Sequence, residues 1–190
     1  MKIRIDKWKM AAIVAISLVF VVDNSYAQAP INRIKGVMNV SAGGLISNES
    51  YGGFIGENYR FSNMISLDSR LNIMGGKHDY TKFTKFTLDN QMVLNITSIY
   101  NMFYLEGLIG CQLGLDNMKS KVEDKSKTTF MLMGEMGFKV TYYINTDWSI
   151  FAEAKETFGL SKTGSISPLF GLGGSWMLPG MGNKANRKFN

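Results

Sequence analysis

The stretch Met64-Ile65-Ser66-Leu67-Asp68-Ser69-Arg70-Leu71-Asn72-Ile73-Met74 decides the fold. Ile65, Leu67, Leu71 and Ile73 share one parity; Ser66, Asp68, Arg70 and Asn72 share the other. Successive side chains of a strand point to opposite faces, so the segment reads as a strand with one apolar and one charged face. A charge in mid-strand must either meet water or be paired away from it. Whatever this strand joins therefore has an apolar side and a distinct polar side.

The same alternation recurs along the chain. Strands are expected at Gly36–Ile46, Gly53–Phe61, Met64–Met74, Phe83–Ile96, Met102–Leu115, Thr129–Tyr143, Trp148–Phe158 and Ile166–Trp176. Phe103, Leu105, Ile109 and Leu113 oppose Glu106 and Gln112. Phe130, Leu132, Phe138, Val140 and Tyr142 oppose Glu135 and Lys139, and Ile150, Ala152 and Ala154 oppose Glu153 and Lys155. The 20 glycines against 3 prolines suit strands and tight turns better than helices.

The connections alternate in length. Ser62-Asn63, Thr97–Asn101 and Ile144–Asp147 are short, whereas Ser47–Gly52, Gly75–Lys82, Asp116–Thr128 and Gly159–Ser165 read as longer, polar loops. Short turns at one end and long loops at the other are the pattern of an outer-membrane barrel. Aromatics are expected to form two girdles where hydrocarbon meets water. Tyr59, Phe61, Tyr100, Phe103, Tyr104, Tyr142, Tyr143, Trp148 and Trp176 fall at the short-turn end. Tyr51, Phe54, Tyr80, Phe83, Phe130 and Phe158 fall at the other.

These features predict an all-β fold: an up-and-down antiparallel barrel of about eight strands, spanning residues 28–176 of the outer-membrane type. Asp68, Arg70, Glu106, Glu135, Lys139, Glu153 and Lys155 are then the predicted lumen charge network, because each would be costly in hydrocarbon. Eight strands leave an interior just wide enough for side chains, so the lumen is expected to be plugged. Alternation alone also fits a lipocalin-like barrel with its apolar face inward. The girdles, the loop asymmetry and the lack of a disulfide framework favour the membrane version.

The chain opens with Lys2, Arg4, Lys7 and Lys9, then an apolar run from Ala11 to Val22, then Ser25-Tyr26-Ala27 before Gln28. This is the pattern of a secretory signal peptide over residues 1–27; the apolar run is short for a spanning helix, which needs about 20 residues. Export to the outer membrane through a Sec-type pathway is expected. Of the formal charge of +6, two units lie in this leader, with its four basic and two acidic residues, so +4 remains. No basic stripe interleaved with aromatics occurs, so direct nucleic-acid binding is not expected. Residues 177–190 read as a basic C-terminal tail.

Chemistry is hard to find. His78 is the single histidine, in an expected outer loop beside Asp79, with no nucleophile motif or metal-ligand cluster to accompany it. Gly171-Leu172-Gly173-Gly174 precedes no helix and so makes no phosphate cradle. Cys111 is the one cysteine and suits burial or a lipid-facing position. No catalytic residue, cofactor, metal or small-molecule substrate is expected; outer-membrane lipid is the expected surrounding. The lipid-modifying alternative would place its catalysis at His78.

The chain resembles the TraO family of conjugal-transfer proteins from Bacteroidetes conjugative transposons. The likeness covers most of residues 36–176. It lies in the Gly36 to Gly43 opening strand, in Phe103–Gly114 with Gly107 and Gly110, and in Gly134-Glu135-Met136-Gly137 leading to Tyr142-Tyr143-Ile144-Asn145-Thr146-Asp147. It continues in Glu153-x-x-Glu156 before Phe158-Gly159 and in the closing Phe170-Gly171-Leu172-Gly173. The tail after Trp176 departs from the family, whose members end closer to the last strand. The resemblance implies an outer-membrane component of a conjugative DNA-transfer apparatus, with other transfer proteins as partners and no catalytic residues. The alternative is a general OmpA/OmpX-like small surface barrel serving adhesion or envelope integrity.

Overall fold

The computed structural model describes residues 33, 35–78, 81–100, 102–120, 126–159 and 166–178. The expected signal peptide, Asp79, Tyr80, residues 121–125, residues 160–165 and most of the expected tail lie outside the described residues.

The chain forms a closed barrel of eight antiparallel strands, each paired with its neighbours in sequence and with β1 closing on β8. The strands are β1 Met38–Ser47, β2 Ser50–Arg60, β3 Ile65–His78, β4 Thr81–Ile99, β5 Phe103–Ser120, β6 Ser126–Tyr143, β7 Trp148–Gly159 and β8 Ile166–Met177. The pairing is continuous apart from a bulge between Asn95 and Thr97 of β4. Full closure removes the unpaired strand edges that an open sheet would carry.

The stagger of the barrel follows from its register. A path from Val40 through Glu57, Ser69, Asn90, Cys111, Gly134 and Phe158 arrives at Ile166. That residue lies ten positions along β8 from Trp176, the partner of Val40. A rise of about 3.3 Å per residue and a strand spacing of about 4.8 Å turn this stagger into a strand tilt of about 40°.

Three of the four long loops expected from sequence are largely strand where they are described, and the fourth, Gly159–Ser165, lies outside the described residues except for Gly159. The β1–β2 connection is only Asn48-Glu49, and β3 and β4 stay paired through His78 and Thr81. Likewise β5 and β6 stay paired out to Lys119 and Ser126. His78 accordingly ends a strand rather than sitting in a loop. The two ends do differ, but through strand length: β4, β5 and β6 run 19, 18 and 18 residues against 10 and 11 for β1 and β2. The opposite end has short turns held by side chains. Ser62 Oγ accepts from the backbone N–H groups of Met64 (3.2 Å) and Ile65 (3.1 Å). Asn145 Oδ1 accepts from those of Asp147 (2.9 Å) and Trp148 (2.8 Å). Such side-chain turns replace the ladder bonds lost where the chain reverses.

Glycine makes the closing seam possible. Gly43 and Gly173 face each other across β1 and β8. A Cβ on Gly173 would sit 2.7 Å from the Phe151 ring, 2.8 Å from the Ala42 carbonyl oxygen and 2.9 Å from the Phe54 ring. Both rings fill the lumen there, with centroids 6.0 Å apart. Gly173→Val is therefore expected to destabilise the barrel by about 1–3 kcal/mol through overpacking. A lowered urea midpoint of the barrel refolded in detergent checks this; an unchanged midpoint would mean that the seam has slack.

Candidate functional site

Polarity in this barrel is inverted relative to a water-soluble one. Asp68, Arg70, Glu106, Glu135, Lys139, Glu153 and Lys155 are all buried, pointing into the lumen. Outside, Ile55, Leu71, Ile73, Phe86, Ile109, Leu132, Phe138, Ile150 and Leu172 are exposed. A lipocalin-like barrel would have the reverse arrangement. An exposed apolar surface encircling the whole molecule is far larger than the few hundred Å² a soluble monomer tolerates.

The belt has the height of a membrane interior. On β7 it runs from Trp148 to Phe158, which at the strand tilt spans roughly 25 Å. Tyr59, Phe61, Tyr100, Phe103, Trp148 and Trp176 ring its short-turn edge, with Trp148 and Trp176 stacked at 6.0 Å. Tyr51, Phe86, Phe130 and Phe158 mark the other edge. Four expected girdle residues turn inward instead: Tyr104 and Tyr143 at one end, Phe54 and Phe83 at the other. They lie on the lumen parity of their strands, so proximity to a strand end misplaces them. Two carboxylates interrupt the belt, Glu57 and Glu156, both exposed. Each is one outward position from a girdle aromatic, Tyr59 or Phe158, so its head can reach the interface. Cys111 also lies on the outer wall.

The lumen is filled by ion pairs and rings. Arg70 is the hub. It donates through Nε and Nη2 to both oxygens of Asp68 (3.0 and 2.6 Å) and through Nη1 to both oxygens of Glu153 (2.7 and 2.8 Å). Its guanidinium also stacks on Phe54, 4.6 Å from the ring centre. Lys139 Nζ adds a bond to Asp68 at 3.2 Å and lies over Phe151. One layer further toward the long-strand end, Lys155 Nζ bridges Asp89 (3.0 Å) and Glu135 (2.9 Å). Gln112 and Thr87 donate to the other Asp89 oxygen at 2.7 and 3.2 Å. Geometry of this kind offsets the large cost of taking charges out of water.

A third cluster closes the short-turn end. Arg33, from the segment ahead of β1, pairs with Glu106 and lies 3.6 Å from the centre of the Tyr104 ring. Its Nε donates to the Tyr143 hydroxyl at 3.1 Å, while Thr141 donates to Glu106 at 2.7 Å. Arg60 stands 3.9 Å from the same carboxylate. Between this cluster and the Arg70 hub lies a cavity of about 20 Å³, lined by Asn39, Asn58, Arg60 and Thr141 among others, room for about one water. Arg33→Ala removes a lid contact, but Arg60 and Thr141 still face Glu106. The expected loss is about 1–3 kcal/mol, read as a lower urea midpoint. No change would show that the segment ahead of β1 contributes nothing to the barrel.

Sequence reasoning overlooked Arg33, Arg60, Asp89 and Asp116, all buried in the lumen. Asp89, Asp116 and Arg60 share the parity of the inward residues on β4, β5 and β2, so alternation could have found them. Arg33 precedes the first strand and has no such signal. Together with half-buried Lys85, the buried Arg33, Arg60, Arg70, Lys139 and Lys155 give one cation for each of the buried carboxylates Asp68, Asp89, Glu106, Asp116, Glu135 and Glu153. Among the described residues the buried charges of the interior therefore balance. Among the described residues no group of three or more His, Cys, Asp or Glu side chains is arranged to hold a metal ion.

The fold is that of the small eight-stranded outer-membrane barrels. Solved structures of that class resemble it at low sequence identity. Ail, the attachment invasion locus protein of Yersinia pestis, matches with a TM-score of 0.55 at 16% identity, covering 76% of this chain and 100% of Ail. The N-terminal barrel domain of Pseudomonas aeruginosa OprF gives 0.55 at 19%, covering 76% and 98%. Neisserial surface protein A gives 0.55 at 12%, covering 74% and 95%. No protein-family model matches the sequence, and no curated protein does.

Proposed function

We propose that this chain is an outer-membrane barrel that holds or displays rather than catalyses, and that it serves as a non-catalytic component of a conjugative DNA-transfer apparatus. The observation that carries the first part is the inverted polarity: an apolar, aromatic-edged belt around a balanced, ion-paired lumen. The second part rests on the resemblance to the TraO family. The buried side chains that fill the lumen among the described residues suit a wall or scaffold part of the apparatus better than its channel. Outer-membrane lipid and other transfer proteins are the partners this role implies.

Two experiments separate the parts. Membrane fractionation with heat-modifiable gel mobility tests the barrel: a boiled sample that migrates differently supports it, and a wholly soluble protein sinks it. An in-frame deletion tests the apparatus: transfer of the element should fall to background and return on complementation. Undiminished transfer removes the conjugation role and leaves the barrel standing.

A second reading, an OmpA/OmpX-like surface barrel, draws on the projection of β3–β6 beyond the belt. It predicts that shortening β5 and β6 at their shared tip abolishes binding to a cell surface. Unaltered binding counts against it.

A further inference from the structure

The buried charges balance in sum but not layer by layer. The Arg70 hub and the Arg33 cluster together hold four cations, Arg33, Arg60, Arg70 and Lys139, against three carboxylates, Asp68, Glu106 and Glu153. Toward the long-strand end, Lys85 and Lys155 stand against three, Asp89, Asp116 and Glu135. Among the described residues, one positive charge is therefore left over in the part of the lumen nearer the short turns. The cavity of about 20 Å³ lies in that part, and Arg60, Lys139, Asp68 and Glu106 all line it. A charge held away from water is costly unless an opposite charge stands beside it.

The cavity wall has donors to spare and few free acceptors. Both oxygens of Asp68 are engaged by Arg70 and Lys139, and both of Glu106 by Arg33 and Thr141. Arg60 is 3% exposed, yet its Nε has no hydrogen-bond partner among the described residues, and neither has the buried Ser41 hydroxyl. Arg60 stands 3.9 Å from Glu106, too far for a hydrogen bond. Tyr143 accepts from Arg33 and keeps its own hydroxyl proton to give, and Lys139 carries ammonium protons beyond the one it gives to Asp68. A water in this cavity would have to donate as well as accept; an anion only accepts. Asp68 and Glu106 oppose an anion, but each is already held by its own cation. From the leftover charge and the unpartnered donors we infer that the cavity is a binding site for one small monovalent anion of the halide class, with Arg60 as its counter-charge. Room for about one water admits a single-atom ion but no phosphate or carboxylate.

This inference concerns the lumen alone and stands apart from the conjugation reading. The test refolds the full chain in detergent at constant ionic strength, with chloride exchanged stepwise for gluconate, which is too large for the cavity. Once the site begins to fill, the folded-to-unfolded ratio at fixed urea should rise about ten-fold for each ten-fold rise in chloride. Bromide should replace chloride, and crystals grown in bromide should show its anomalous signal beside Arg60. Arg60→Gln should lose the chloride dependence. Arg60→Lys, which keeps the charge, should retain it, and so should Lys77→Gln on the outer wall. A ratio indifferent to chloride, or a dependence that survives in Arg60→Gln, overturns the site. Bromide in the cavity without any effect on stability marks an adventitious ion only and overturns it too, as does a cavity that holds only water. If Arg60→Gln does not fold, the wild-type titration and the bromide signal decide between these outcomes.

Discussion

Arg70→Ala should be the most damaging single change in the lumen, costing about 3–5 kcal/mol. Arg70 holds Asp68 and Glu153 at the same time, each through two oxygens. Removing it leaves Asp68 with Lys139, but strips Glu153 of its one ion-pair partner among the described residues. A buried carboxylate without a cation pays its desolvation cost in full, and the truncation also leaves a void between Phe54 and Phe151. Urea unfolding of the detergent-refolded barrel, followed by tryptophan fluorescence, reads the loss directly. The double variant Arg70→Met, Glu153→Gln removes cation and carboxylate together while sparing Asp68–Lys139, and it should recover most of the lost stability. A single variant that unfolds at the wild-type midpoint would mean that water reaches Glu153 and that the lumen is not closed.

The residues of this hub could be found in the sequence, but their partners could not. Asp68 and Arg70 betray themselves because they oppose Ile65, Leu67, Leu71 and Ile73 on an unbroken alternation. Which strand they meet across the lumen depends on the stagger of the barrel. Arg70 of β3 reaches Glu153 of β7, and Lys155 reaches Asp89 of β4, because the tilt brings those heights together. No local pattern encodes that. The strand ends failed for another reason. Beyond the belt the outward positions of β3–β6 turn polar, as at Lys77, Lys82, Thr84, Asn117, Lys119 and Thr128, so the apolar alternation that marks a strand disappears. The ladder continues regardless, since backbone hydrogen bonding does not need an apolar face. The inward aromatics follow the same lesson: Tyr104 and Tyr143 obey parity, which put them in the lumen against Arg33 and not in the girdle.

The sharpest test of the surroundings is Ile109→Arg. Ile109 is the middle outward apolar position of β5, half-way between Phe103 and Leu115. Its side chain is 49% exposed, so in water the exchange should change stability by no more than about 0.5 kcal/mol. In a bilayer the same position lies near mid-plane, where an arginine on a barrel wall costs about 2–4 kcal/mol. Thr128→Arg provides the control. Thr128 is also outward and exposed, but it lies beyond the belt on β6, where the cost should fall to about 0–1 kcal/mol. Both variants should be measured in phospholipid vesicles, because a detergent micelle deforms around a buried charge more readily than a bilayer does. A large penalty at Ile109 with little at Thr128 marks the belt as lipid-covered and gives its depth. Equal, small effects at both positions would leave the apolar exterior to be covered by protein, since neither water nor lipid would then account for it.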